Sequence, residues 1–246
     1  MDLGLEGKRA AVAGASAGLG LACAAALAAE GARVVIASRD RARIEAAAAG
    51  VPGAVPLVAD VSQPEGARGF VEAAIDALGG VDILVANAGG PPRGTFASTA
   101  FERYAEALDL NLLSTVAMCQ AAVPAMQARG WGRVVAITSV SVRQPIPDLI
   151  LSNTARAGVT GFLKTLALEV AADGVTVNSL QPGLHLTDRL RQLGASEESL
   201  AASVPANQVG DPSDFGRLAA FLCSDSARFV TGAAIPVDGG AHRGLQ

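Results

Sequence analysis

Seven short runs of β-forming residues alternate along the chain with longer alanine-rich runs, and no other feature constrains the fold as strongly. The runs are RAAVAG (9–14), RVVIAS (33–38), AVPLVA (54–59), VDILVA (81–86), RVVAITS (133–139), GVTVNSL (174–180) and AAIPVD (233–238). Strands that are apolar throughout are buried on both faces, and strands separated by helices pair in parallel. The sequence therefore predicts one doubly wound α/β domain over residues 1–246, with a seven-stranded parallel sheet between two helical layers. In such a sheet ligands sit outside the carboxyl ends of the strands. Gly14, Ser38, Asp60, Asn87, Ser139 and Pro182 hold those positions.

Composition narrows the function classes. Half of the residues are hydrophobic and 17% are charged, enough apolar material for a sizeable core. A net charge of −4 with a pI near 5.2 leaves no basic face for a polyanion, so no nucleic-acid partner is expected. Cys23, Cys119 and Cys223 lie far apart in apolar stretches, and His185 and His242 are the two histidines. That pattern predicts buried thiols in a reducing, cytoplasmic compartment and no metal site. The start, MDLGLEGKR, lacks the basic-then-apolar order of a signal peptide. Two uncharged runs, 10–29 and 110–128, are long enough to span a membrane. The first carries a turn-like cluster of glycines, and the second carries Asn111, Ser114, Gln120 and Pro124. Both read as buried elements, with no membrane association.

The loop AGASAGLG follows the first strand and leads into a helix, with Gly14, Gly18 and Gly20 spaced around Ser16 and Leu19. Glycines let backbone approach a pyrophosphate, and the free N–H groups of a helix start favour its charge. At the end of the second strand, Ser38 and Arg39 favour the 2′-phosphate of NADPH over NADH, although Asp40, Arg41 and Arg43 also fit an ordinary helix start. Asp60, before Val61, could accept from an adenine amino group or cap the next helix.

These motifs, with Asn87-Ala88-Gly89, Asn111, Ser139 and Pro182-Gly183 in the same order over residues 5–241, resemble the short-chain dehydrogenase/reductase family, most closely its 3-oxoacyl-carrier-protein-reductase-like members. The resemblance implies a Rossmann-type fold and an NAD(P)-dependent oxidoreductase, with NADP(H) as the favoured cofactor and NAD(H) possible. It also implies a small-molecule carbonyl or acyl-thioester substrate and a homotetramer whose interface includes the final strand. In the family's pattern Ser139 holds the substrate carbonyl, Asn111 holds a water and Thr187 binds the nicotinamide carboxamide.

The family also uses a tyrosine as proton donor and, four residues later, a lysine. Aligned on AGV and GFLKTLALE, those positions are Ser152 and Arg156. An aliphatic hydroxyl is a poor acid near neutrality, and arginine binds ribose hydroxyls without shuttling a proton. The chain's one tyrosine, Tyr104, lies two helical turns before Asn111, where packing is the simpler role. Ser141, Arg143 and His185 are other candidate donors nearby. The expected function is ketone reduction with an atypical proton donor; the alternative is a weak or silent homologue acting by binding or assembly. Residues 187–210 are expected to cover the substrate.

Overall fold

The computed structural model describes residues 2–191, 194 and 196–244. The strands are β1 (Arg9–Val12), β2 (Arg33–Ser38), β3 (Val55–Val58), β4 (Ile83–Ala86), β5 (Gly132–Ile137), β6 (Val175–Pro182) and β7 (Ala234–Val237). They form one sheet in the order β3-β2-β1-β4-β5-β6-β7, parallel throughout. Each predicted strand is present; β2 has the predicted ends, and the others differ by no more than two residues at either end. Pro56 lies in β3, whose edge position tolerates a residue that cannot donate to the ladder.

The helices are α1 (Gly18–Ala29), α2 (Arg41–Ala49), α3 (Pro64–Leu78), α4 (Glu102–Leu108), α5 (Ser114–Arg129), α6 (Ile150–Val170), α7 (Asp188–Arg191), α8 (Glu197–Ala202) and α9 (Pro212–Cys223). Alternation along β1 and the residue after it sends Ala10 and Val12 to one face and Ala11 and Ala13 to the other. On the first face Leu27 of α1, Ile44 of α2 and Phe215 of α9 close the core; on the second, Phe70 of α3, Met118 of α5 and Leu163 of α6 do so. All three cysteines are buried and unpaired.

The uncharged run 110–128 lies in one rod, Glu102–Arg129, in which a π-helical turn, Asp109–Leu113, joins α4 to α5. The wide turn frees carbonyls, and side chains take them up: Ser114 Oγ donates to Leu110 at 2.6 Å and Thr115 Oγ1 to Asn111 at 3.1 Å. By length and composition the rod could cross a membrane, but half of its most apolar window is buried inside the protein.

The chain runs outward from β1 to β3 and then returns to place β4 beside β1. That reversal opens a crevice at the carboxyl ends of β1 and β4, lined by Gly18, Leu19, Asn87, Ala88, Gly89 and Pro182 among the predicted site residues.

Candidate active site

The glycine loop is built by close approach. Gly14 has φ +57°, and a Cβ on Gly20 would lie 2.5 Å from the Gly14 carbonyl oxygen. Asn87 Nδ2 donates to that carbonyl at 2.9 Å, tying the end of β4 to the loop. Ala17 precedes α1 and supplies no side-chain cap, so the first N–H groups of α1 have no side-chain acceptor there. A loop that admits no side chain, opening onto an uncapped helix start, suits a pyrophosphate.

From this loop runs a groove of about 640 Å³ lined by Gly18, Leu19, Arg39, Arg43, Asn87, Ala88, Gly89, Arg156, Pro182 and Thr187. Arg39 lies where the sequence placed it. Arg43 faces the same groove, while Asp40 caps α2 by accepting from the Arg43 N–H at 3.0 Å and Arg41 pairs with Glu45. The run after β2 is thus both a helix start and a groove wall. Ser38 and Asp60 are used locally: Ser38 Oγ donates to the Asp40 carbonyl at 3.1 Å, and Asp60 Oδ1 accepts from the Ser62 N–H at 3.0 Å. Gln63, not Asp60, stands at the N-cap of α3, which corrects the capping alternative. Asp60 and Val61 are not among the lining residues of the groove.

A second cavity of about 280 Å³ joins the groove at Arg156, Thr187 and Arg189, and it contains Ser139, Ser152 and His185. Ser139 follows β5 in extended backbone, and its Oγ accepts from the Ser141 N–H at 3.1 Å. With that lone pair engaged, its O–H is free to donate into the cavity. Ser152 and Arg156 stand one turn apart on α6 and both line the cavity. Arg156 Nη1 donates to the carbonyls of Ile137 at 3.0 Å and Thr138 at 3.1 Å. Burial lowers its pKa to about 10, and the nearby charge of Arg189 adds to the effect; Arg156 is still cationic at pH 7.

Asn111 projects from the π-turn, where Nδ2 donates to the Gly89 carbonyl at 2.8 Å and Oδ1 is buried without a hydrogen-bond partner. A buried acceptor in that state suits a water.

The other candidate donors are placed less favourably. Arg143 is spent on Gln181, at 2.6 Å, and on the Ala234 carbonyl, and Ser141 is buried; neither lines the cavity. Tyr104, on α4, does not line it either. His185 does, but it packs edge-on against Phe215 at 5.2 Å, and its Nδ1 lies 3.3 Å from the Gly183 carbonyl. Burial lowers its pKa, partly offset by the Gly183 hydrogen bond and Asp211, which disfavours the protonated ring that an acid needs.

Of the expected cover, Gln192, Leu193 and Ala195 lie outside the described residues. Sequence reasoning missed Arg43 as a groove residue, and it missed Gly90 and Arg93; it placed Arg189 only within the expected cover over 187–210, with no role of its own. Arg93 and Arg189 sit in no motif, and only the fold brings them to Ser139.

A parallel doubly wound sheet with a glycine cradle at its switch point, a serine beyond β5 and a cation one turn along α6 defines a nucleotide-binding α/β protein with an adjoining small-molecule pocket. The chain belongs to the short-chain dehydrogenase/reductase family. The family profile described as Enoyl-(Acyl carrier protein) reductase matches residues 14–242. Dehydrogenase/reductase SDR family member 4 of Bos taurus is 35% identical over 245 residues, covering 96% of this chain and 88% of that protein. The 3-oxoacyl-[acyl-carrier-protein] reductase FabG of Vibrio cholerae is 35% identical over 243 residues, covering 98% and 99%. Among solved structures, L-sorbose reductase from Gluconobacter frateurii, complexed with NADPH and L-sorbose, superposes with a TM-score of 0.93 at 33% identity and covers both chains completely.

Proposed function

We propose that this protein is an NADP(H)-dependent reductase of small ketones in which the proton comes from a group other than tyrosine. The observation that carries the reading is the junction at Arg156, where the groove beside the glycine cradle meets the cavity of Ser139. Arg39 and Arg43 would receive the 2′-phosphate, the Gly14–Gly20 loop the pyrophosphate, and Thr187 and Arg156 the nicotinamide end. When bound, the reduced nicotinamide supplies the hydride.

Ser139 donates its O–H to the substrate carbonyl and gains strength as negative charge builds on that oxygen. Ser152 and Arg156 take the positions of the family's tyrosine and lysine. Arg156 contributes a fixed positive charge and donors, while its full protonation keeps it out of proton transfer. The unpartnered Asn111 Oδ1 can hold a water, a route for the proton in place of a phenol. The 3-oxoacyl thioester implied by the resemblance is one ketone of the required kind. Residues 187–210, which include α7 and α8, act as the substrate cover, and the chain works as a cytoplasmic homotetramer.

The test is steady-state NADPH oxidation with a ketone beside cofactor titration. Tight NADPH binding with slow turnover, reduced further by Ser139→Ala, is expected. Tight binding with no hydride transfer to any ketone would favour the second reading, a homologue that acts by binding or assembly.

A further inference from the structure

The cavity around Ser139 is strongly cationic. Arg93, Arg156 and Arg189 all line it, and none of its lining residues is an aspartate or glutamate. Arg93 is neutralised, since its Nε and Nη2 donate to Asp148 at 3.0 and 2.8 Å. Among the described residues, Arg156 and Arg189 have no carboxylate partner. Two uncompensated cations thus share about 280 Å³ in a protein whose net charge is −4.

That arrangement has a cost. Like charges close together repel, here the exposed Arg189 beside the half-buried Arg156, and an anionic ligand relieves both the repulsion and the missing pairing. A cleft of one sign also concentrates ligands of the other. The placement of Arg189 is specific: its guanidinium lies so close over Gly90 that a Cβ there would collide with it. Arg189 itself is exposed on α7, so it contributes no core packing.

We infer that the ketone held by Ser139 carries a carboxylate, received by the fork of Arg189 with Arg156 behind it; this rests on the reductase reading above. Arginine's planar donors match a carboxylate two to two. At about 280 Å³ the cavity is smaller than the usual ligand pocket of roughly 300–1,000 Å³, which restricts the ketone to a short oxo acid. Arg189 also borders the cofactor groove, so the phosphates of the cofactor are the rival claimant and must be separated by experiment.

The test compares acetoacetate with its neutral methyl ester by calorimetry on the protein saturated with NADP⁺, where no turnover intervenes. Charge-assisted hydrogen bonds predict roughly tenfold to hundredfold tighter binding of the acid. Arg189→Gln should erase most of that preference and Arg189→Lys should retain part of it. Equal affinities, tighter binding of the ester, or a preference that survives Arg189→Gln would each overturn the inference. So would an Arg189→Gln protein whose NADP⁺ affinity falls while the acid-to-ester ratio stands, since the arginine would then serve the cofactor alone. Replacing NADP⁺ by NADPH tests the reductase reading separately: oxidation with neither probe contradicts that reading and leaves the binding comparison valid.

Discussion

Arg156 donates from Nη1 to the carbonyl oxygen of Thr138 at 3.1 Å, which ties α6 to the residue immediately before Ser139. The same side chain reaches the Ile137 carbonyl, so the end of β5 and the first turns of α6 are fixed relative to each other. A lysine could occupy this place and still move a proton, whereas arginine holds the geometry as a permanent cation. Among the described residues, no tyrosine lines the cavity that holds Ser139 and Arg156.

Cofactor preference should follow Arg39. Arg39→Asp removes a donor to the 2′-phosphate and adds a repelling charge, so NADPH affinity should fall about tenfold to hundredfold while NADH affinity rises. Fluorescence titration of both cofactors checks this, and equal affinity for the two in the unmodified protein would contradict it.

The glycine cradle makes a stability prediction. Gly20→Ala places a methyl 2.5 Å from the Gly14 carbonyl oxygen and 2.8 Å from Asn87 Nδ2. Neither neighbour can retreat without breaking their mutual hydrogen bond, so the variant should lose about 1–3 kcal/mol in urea unfolding and bind NADPH poorly. Gly69→Ala, where an added Cβ meets nothing within 4 Å, should show neither effect.

Asp82 predicts a pH dependence. Burial alone would raise its pKa, but hydrogen bonds from the Arg9 side chain and backbone, with the charges of Arg9 and Arg129, leave it net lowered. A carboxylate with a depressed folded-state pKa stabilises above its unfolded value near 3.9, and that contribution is lost as pH falls through the folded value. Asp82→Asn should therefore cost about 1.5–3 kcal/mol at pH 7, and the difference from the unmodified protein should shrink in urea melts below about pH 4. A difference that stays constant down to pH 3 would refute this.

Assembly should be tetrameric. Leu113, in the π-turn before α5, and Leu168 of α6 are exposed, and β7 forms a sheet edge. Light scattering at micromolar concentration should report four copies of the 24.6 kDa chain. A monomer mass would refute the assembly.

Legibility in the sequence differed from element to element. The strands could be read because unbroken runs such as RVVIAS and VDILVA have no other stable use than a sheet covered on both faces. Ser139, Ser152, Arg156 and Thr187 could be placed through motif order, and the fold brings all four to one cavity. Asp60 could not be resolved, because a carboxylate after a strand serves a turn or a ligand equally well in one dimension. The π-turn at Asn111 left no compositional mark. The positive cavity was also invisible: Arg93, Arg156 and Arg189 are separated by long stretches of chain, and only the carboxyl-end crevice collects them.

The most direct test of the central claim, that Ser139 holds the carbonyl in a site without a phenolic acid, is NADPH oxidation in the presence of a ketone by four proteins side by side. The unmodified protein should turn over slowly, since an absent general acid forfeits about 10² to 10⁴ in rate. Ser139→Ala should be slower still, Ser152→Ala nearly unchanged, and Ser152→Tyr with Arg156→Lys faster than the unmodified protein. Vigorous turnover in the unmodified protein that collapses on Ser152→Ala would contradict the account and make Ser152 itself a working member of the proton path.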